Sequence, residues 1–469
     1  MSTAHEKEDA IIRPRTYRAE LSVANRARDE FTRKLKSADE AVKAITSGDL
    51  VVVPVGTDPK TIEVALCARA PELKDVRLRL HNGLNDVPWY EPELMDHIQP
   101  EVWFVVGGYV REKMNERLGD MAIGACTLWT KTLDDGRADL RKPDVLLLET
   151  TPPDEQGMCS FGAVRWDKKE LAAHAKLVIS EVSDSHIRTR GDNAIHVSEI
   201  DIFVQREIPP TAFRKTLREE MASKDAALYK AIAGHVAPFI KSRDTILMGA
   251  GGTIEPLPMF GIFDGKEDLG WHTERLPRGM MKMMRDRPGL FTGKYKTLDP
   301  GKHVLTLLAL TEDDADFANM HPQIEMRSVR YVNDIRVIAA QDNLVSILNA
   351  LTIDLTGQVA SEHVGPRPQA GPGGQPEIAI GSVLAKGGRS IMVMPSTARG
   401  GKTSRIVPQL ELGSVVTVTR AFVDYVVTEY GVARLMGKSA RQRAEELIAI
   451  AHPDFRGELR AASRKLFWP

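Results

Sequence analysis

AVKAITSGDLVVVPVGTDP, residues 41–59, is the stretch that decides the fold. It begins with helical spacing, turns at Gly48-Asp49, enters an apolar β-branched run and leaves through a loop at Gly56-Thr57. A short run that is apolar at every position and follows a helix reads as a strand buried on both faces, as in a parallel sheet. The amphipathic helix starts after Ser37. Working outward, strands are expected at Val76–Leu80, Val102–Val106, Val145–Leu148 and Ala175–Val182, with helix or loop between them. That alternation is the signature of an α/β domain. After Val145–Leu148 comes ETTPPDEQGMCSFG (149–162), whose prolines and glycines argue for an irregular loop. Such loops lie at the carboxyl ends of parallel strands, where α/β sheets bind ligands.

The pattern then restarts. LYKAIAGHVAPFIKSRDTILMGAGGTIEP (228–256) repeats the order helix, turn with aspartate, apolar strand, Gly-Thr loop with an acidic residue and a proline. Two similar open α/β domains, a duplication, follow from that order; two unrelated units sharing turn chemistry are the alternative. The polar, proline-bearing stretch Glu207–Thr211 marks the boundary region. The expected division is an N-terminal arm at 1–30, a first domain at 31–215 and a second at 216–469. The arm is polar with few apolar anchors and is expected to be mobile or loosely docked. Strands in the second half are expected at Val304–Leu308, Val337–Ala339, Leu344–Ile347, Ser390–Met394 and Val415–Thr419. SARQRAEELIAIAHPDF (439–455) is a helix that turns Ala444, Leu447, Ile448 and Ala451 inward and ends at Pro453.

Composition excludes several function classes. The 469 residues carry a net charge of −1, which gives no field for a polyanion such as nucleic acid. No apolar run has the length a membrane span needs, and the N-terminus is too charged for a secretory signal, so a cytoplasmic location is the expectation. Cys67, Cys126 and Cys159 have no CxxC or CxxH spacing, so neither disulfides nor a zinc site is expected. His196 and His272, the two histidines in motif-like contexts, have no histidine or cysteine three or four residues on, and no metal is expected. The elbow GxSxG and the Walker spacing GxxxxGK[ST] are both absent.

Three glycine loops and one glutamate remain. Gly249-Ala250-Gly251-Gly252 follows a strand, but its spacing and Pro256 and Pro258 do not fit a nicotinamide or flavin dinucleotide site. It is either a tight turn or a set of exposed backbone amides able to receive an oxyanion. QAGPGGQPEIAIGS (369–382) is a second such loop, and STARGGKTSR (396–405) gathers Arg399, Lys402 and Arg405 around Gly400-Gly401. The last is either a phosphate contact or a solvated basic loop. In LGWHTERLPRG (269–279), Glu274 lies between an aromatic-His-Thr run and two arginines, Arg275 and Arg278. With serine and metal chemistry disfavoured, a carboxylate is the remaining nucleophile, and it needs glycine amides to hold the charged intermediate.

PPDEQGMCSFG (152–162), RTRGDNAIHVSEIDIFV (188–204), HTE (272–274), NDIRVIAAQDNLVSILNALTIDLTGQVASE (333–362), GPGGQPE (371–377), LAKGGRSIMVMPSTARGGKTSRIVP (384–408), VTEYGVARLMGKS (427–439) and IAHPDF (450–455) occur in that order. Together they resemble the acetyl-CoA hydrolase/transferase family, most of all its 4-hydroxybutyrate CoA-transferase branch. The resemblance implies two open α/β domains with the active site between them, acyl-CoA and a carboxylate as substrates, and a homo-oligomer. It also implies Glu274 as nucleophile, amides from Gly249, Ala250 and Gly251 and from Gly371, Gly373 and Gly374, and Asn349 ordering the reacting groups. Lys386-Gly387-Gly388 and Arg399-Gly400-Gly401-Lys402 would lie toward CoA. The implied reaction is ping-pong CoA transfer through a covalent glutamyl-CoA intermediate. An acyl-CoA hydrolase using the same glutamate and a silent acyl-CoA-binding protein are the alternatives.

The chain departs from its branch after Glu274, where ERLPRG replaces an acidic, Asp-Gly-containing segment. Arg275 or Arg278 is expected to contact a second carboxylate or polar group of the acyl substrate. Otherwise both face solvent or pair with Asp264 and Asp268.

Overall fold

The computed structural model describes residues 15–81, 87–104, 107–137, 139–209, 225–311 and 314–469. The first half forms an eight-stranded sheet from β1 (Leu35–Lys36), β2 (Leu50–Val53), β3 (Val76–Leu80), β4 (Ile98–Val102), β5 (Asp120–Met121), β6 (Val145–Thr150), β7 (Leu177–Val182) and β8 (Ile202–Gln205). Its spatial order is β5-β4-β3-β2-β6-β7-β8-β1, every pair parallel. The second half forms another sheet from β9 (Thr245–Met248), β10 (Gly270–Leu276), β11 (His303–Leu308), β12 (Ile324–Met326), β13 (Leu344–Asn349), β14 (Arg389–Val393), β15 (Tyr425–Thr428) and β16 (Gly431–Arg434). Its order is β12-β11-β10-β9-β13-β14-β15-β16, parallel except for the final hairpin.

Counted from β2 in one half and β9 in the other, both orders read 4-3-2-1-5-6-7. The duplication expected from two short stretches therefore extends to seven strands of each sheet. In each sheet the strand order switches sides between strands 1 and 5 of this count, and the crevice outside the carboxyl ends at that point is where such sheets hold ligands. The halves differ in how they treat it. In the first, Glu181 accepts hydrogen bonds from the Thr61 and Ile62 amides (2.9 and 3.2 Å) and Glu149 from the Asp58 amide (2.5 Å). Arg206 pairs with both carboxylates, so the crevice is filled from within.

The two halves meet through loops. Val164 bridges Leu307 of β11, the Arg165 amide donates to the Thr306 carbonyl (2.9 Å), and the Met326 amide donates to the Arg190 carbonyl (2.9 Å). Val55, Trp103, Cys126, Val164, Trp166 and Val329 form a small apolar cluster at this junction.

Several expectations are corrected. Part of the N-terminal arm is a helix, α1 (Arg15–Lys34), which docks on the first half. Ala27 is buried, Phe31 meets Phe203 edge-on at 4.9 Å, and the Lys34 ammonium donates to the Val197 carbonyl (2.9 Å). Ala27 and Phe31, four apart, lie on the docked face, and the charges around them conceal it in the sequence. Residues 1–14 lie outside the described residues, as does the boundary at 215. Of the strand expected at Val102–Val106, the structure has Ile98–Val102, ending where Trp103 turns to the apolar junction between the halves; Val105 and Val106 lie outside the described residues. Val337–Ala339 is not a strand but part of a helix, Ile335–Ala339, nucleated by Asp334, whose carboxylate accepts the Arg336 amide (2.8 Å). Val415–Thr419 forms no strand; Val418 makes one bridge, to Val359, and Tyr425–Thr428 occupies the place in the sheet. Met158–Ser160, expected to be irregular, pairs with Ala194–His196. The helix Ala440–Ala449 buries Ala444, Leu447 and Ile448 as expected, and Pro453 opens a further helix, Pro453–Phe467. No described helix is long and apolar enough to cross a membrane.

Candidate active site

The ladder between β9 and β10 ends at Ile246–Trp271. Beyond it the Thr273 hydroxyl takes over both backbone groups of Met248, donating to its carbonyl (3.1 Å) and accepting from its amide (3.2 Å). β10 thus runs on past the end of β9 and carries Glu274 out beside the loop that starts at Gly249. Gly249 donates to the Ile347 carbonyl (2.9 Å), whereas the amides of Ala250 and Gly251 have no hydrogen-bond partner among the described residues. Gly251 has φ +149°, and a β-carbon there would come within 2.8 Å of Asn349 Cβ, so glycine is required. Asn349, at the end of β13, therefore stands against this loop, with its Oδ1 buried and unpartnered. Its carbonyl accepts from Gln375 Nε2 (2.7 Å).

Glu274 is partly accessible, and its carboxyl is gripped from one side. Asn333 Nδ2 donates to Oε2 at 2.5 Å, and the Gly374 amide donates to the same carboxyl. Gly374 is the N-cap of α2 (Gln375–Leu384), so the carboxyl sits at the positive end of a ten-residue helix. Burial pushes Glu274 up to about 7, reinforced by nearby Glu377 and opposed by Asn333, Arg275 and Gly374. Glu377, in the first turn of α2, is also raised by burial. His272 is fully buried and pushed down to about 4, also by burial; its Nε2 bonds the Val332 carbonyl (2.9 Å), beside Asn333. It positions the segment that holds Glu274 and remains neutral.

The Gly371–Gly374 loop packs against the first half. A β-carbon on Gly371 would overlap the Trp103 carbonyl oxygen, and Arg111 Nε donates to the Gln369 carbonyl (3.1 Å). Gly373 has φ +57° and faces Phe104. The carboxyl of Glu274 accordingly lies where both halves contribute groups.

Other expected residues fall elsewhere. Lys386-Gly387-Gly388 turns at the amino end of β14, the opposite edge of the sheet from Glu274, with Lys386 exposed and Asn343 donating its amide to the Lys386 carbonyl (2.8 Å). Arg399-Gly400-Gly401-Lys402 is the exposed turn between Thr397–Ala398 and Thr403–Ser404, beyond the carboxyl end of β14. Arg275 and Arg278 pair with neither Asp264 nor Asp268; both bind Glu255. Asp264 meets Arg287 instead, and Asp268 accepts from Thr292. Asn333, Glu377, Cys126 and Glu255 were not singled out from the sequence. Asn333 opens the NDIR motif, and its position just before a capping aspartate was the available signal.

Sequence models of the acetyl-CoA hydrolase/transferase N-terminal and C-terminal domains match residues 19–213 and 312–463. The 4-hydroxybutyrate coenzyme A transferase of Clostridium kluyveri is 41% identical over 77% of this chain and 85% of its own. The butyryl-CoA:acetate CoA-transferase of Anaerostipes caccae is 33% identical over 94% and 98%. The crystal structure of RipA from Yersinia pestis superposes with a TM-score of 0.84 at 31% identity, covering 94% of this chain and 99% of that one. With both domains matched in order and two solved or curated relatives spanning nearly its whole length, the chain belongs to the acetyl-CoA hydrolase/transferase family.

Proposed function

We propose that this protein is a CoA-transferase that moves CoA from an acyl-CoA donor to a carboxylate acceptor by a ping-pong route through a glutamyl-CoA thioester on Glu274. The observation that carries this reading is the Glu274 carboxyl held by Asn333 Nδ2 and the Gly374 amide, one strand away from the free amides of Ala250 and Gly251. The carboxylate attacks the thioester carbonyl, and loop amides stabilise the tetrahedral oxyanion. The C–S bond breaks, leaving a mixed anhydride and CoA thiolate. The thiolate attacks the glutamyl carbonyl, releases the donor carboxylate and forms the Glu274 thioester. An acceptor carboxylate then enters and the steps run in reverse. Binding energy from the remote nucleotide offsets the cost of desolvating the reacting groups. The exposed turn Arg399–Lys402 is the part of the chain suited to CoA phosphates.

The test combines acyl-CoA with and without a panel of carboxylates and follows acyl-CoA species and intact protein by mass spectrometry. New acyl-CoA only with acceptor, and protein heavier by one CoA acyl-linked at Glu274, is expected. Free CoA released without acceptor would mark a hydrolase, and no change across a wide panel would mark a silent binding protein.

Two further outcomes follow from the electrostatics. Only the ionised carboxylate is nucleophilic, so kcat/KM for the free enzyme should fall as pH drops through about 7, the value burial gives Glu274. A pH–rate profile with no acid limb between pH 5 and 8 would contradict this. Asn333→Ala removes a hydrogen bond that favours the ionised form, so its acid limb should move to higher pH and kcat should fall by roughly ten- to a hundredfold. Profiles recorded side by side with the parent enzyme decide it.

A further inference from the structure

Past Ile246–Trp271 no ladder bond joins β10 to the chain emerging from β9, yet the two must stay in register there, because one carries Glu274 and the other the Ala250 and Gly251 amides. Side chains on one face of β10 make the join. Successive residues of a strand point to opposite faces. Glu274 faces Asn333 and Gly374, while Thr273 and Arg275 face away from them and bind the neighbouring chain on either side of it. Thr273 ties down Met248, just before the loop. Arg275 reaches Glu255, just after it.

We propose that Glu255 is a positioning residue, clamping the loop that carries the Ala250 and Gly251 amides to the strand that carries Glu274 through Arg275 and Arg278. The inference rests on Glu274 as the reacting carboxylate. Glu255 is 7% exposed, and a carboxylate that deep is costly unless fully paired. It is fully paired. Both terminal nitrogens of Arg275 bond it, Nη2 at 3.1 Å, in the forked geometry that fixes a carboxylate in direction as well as distance. Its Oε1 also accepts from the Arg278 amide (3.0 Å) and Arg278 Nε (3.2 Å), so the turn after β10 is held too. Burial alone would raise Glu255; Arg275 and Arg278 outweigh it and leave the carboxyl below its ordinary value. On its own chain, the Glu255 and Ile254 amides both donate to the Gly251 carbonyl (3.1 Å each). One short turn therefore transmits the position of the Glu255 carboxylate to the Gly251 peptide. A loop amide displaced by about 1 Å from a developing oxyanion can cost on the order of a hundredfold in rate.

The clamp also has an electrostatic side. Glu377 and Cys126 lie near Glu274, and Arg275 acts on it from the opposite face of β10. Glu255 pairs with that arginine and offsets its charge.

The test measures kcat, KM and pH profiles of Glu255→Gln, Arg275→Lys and Arg275→Met, with melting temperatures to establish that each is folded. In Glu255→Gln, kcat should fall by about ten- to a hundredfold with KM for acyl-CoA changed less than about threefold. Its acid limb should move to lower pH, because Arg275 then acts on Glu274 uncompensated. Arg275→Met should move the limb to higher pH, and Arg275→Lys, which keeps the charge but loses the fork, should lower kcat with the limb nearly in place. Parent kcat in folded Glu255→Gln would overturn the clamp. So would variants at Arg275 that change only KM for one class of carboxylate, since the arginine would then be reading substrate. Neither result touches the role of Glu274, which the mass of the covalent adduct tests separately.

Discussion

Glu274→Ala is expected to lower CoA transfer by on the order of 10⁴-fold or more, with acyl-CoA still bound and no CoA attached to the protein. The size of the effect follows from what is lost. With no side chain at 274, the remaining groups can bind and polarise a thioester but nothing accepts the acyl group, and water is a poor substitute in a site built to hold a carboxylate. Activity within tenfold of the parent would remove Glu274 from the mechanism. A companion variant separates chemistry from folding. Glu274 is raised by burial from its ordinary value to about 7, so the folded state binds its proton more tightly than the unfolded chain. Between roughly pH 4.5 and 7 the native state therefore holds more protons than the unfolded state, and stability falls as pH rises through that window. Above it the ionised, partly buried carboxylate costs on the order of 2–3 kcal/mol. Glu274→Gln should thus be inactive and yet melt higher than the parent at pH 8, with the difference vanishing toward pH 4. A lower melting temperature at pH 8 would show that the site is not strained by its charge.

Gly374→Ala is the second large effect. The backbone at this position has φ −88°, ordinary for any residue, so alanine adds no conformational strain and the helix that begins there is retained. The added methyl, however, would overlap both Asn333 Nδ2 and Glu274 Oε2. One of the two must move, and either motion breaks the contact between them. Transfer should fall by about 10²–10³-fold, as when one oxyanion donor is lost, while the melting temperature stays close to the parent's. Circular dichroism melts beside steady-state rates distinguish this from general unfolding; an unchanged rate would mean that the carboxyl is held in some other way.

The fold was legible wherever the local pattern and the tertiary outcome coincide. The apolar strands β2, β6, β7, β11, β13 and β14 are buried throughout or nearly so, and their composition announces it. It failed where long-range contacts override propensity: β4 ends where Trp103 turns to the junction cluster, and Ile335–Ala339 coils because Asp334 caps it. The site shows the same division. Glu274 and the glycine loops carry their chemistry in neighbouring residues. Asn333 approaches Glu274 from 59 positions away, and the pairing of Arg275 with Glu255 depends on where a ladder ends, which no spacing encodes.

The repeated strand order also has a stoichiometric consequence. A chain made of two copies of one topology starts with two equivalent crevices, and each could in principle have become a reaction centre. Here the first is occupied by the chain's own carboxylates, Glu149 and Glu181, seated on the amides of Asp58, Thr61 and Ile62 that an anionic ligand would otherwise need. On the proposed mechanism, with Glu274 of the second half as the one reacting carboxylate, each polypeptide should take up one equivalent of covalently held CoA at saturation.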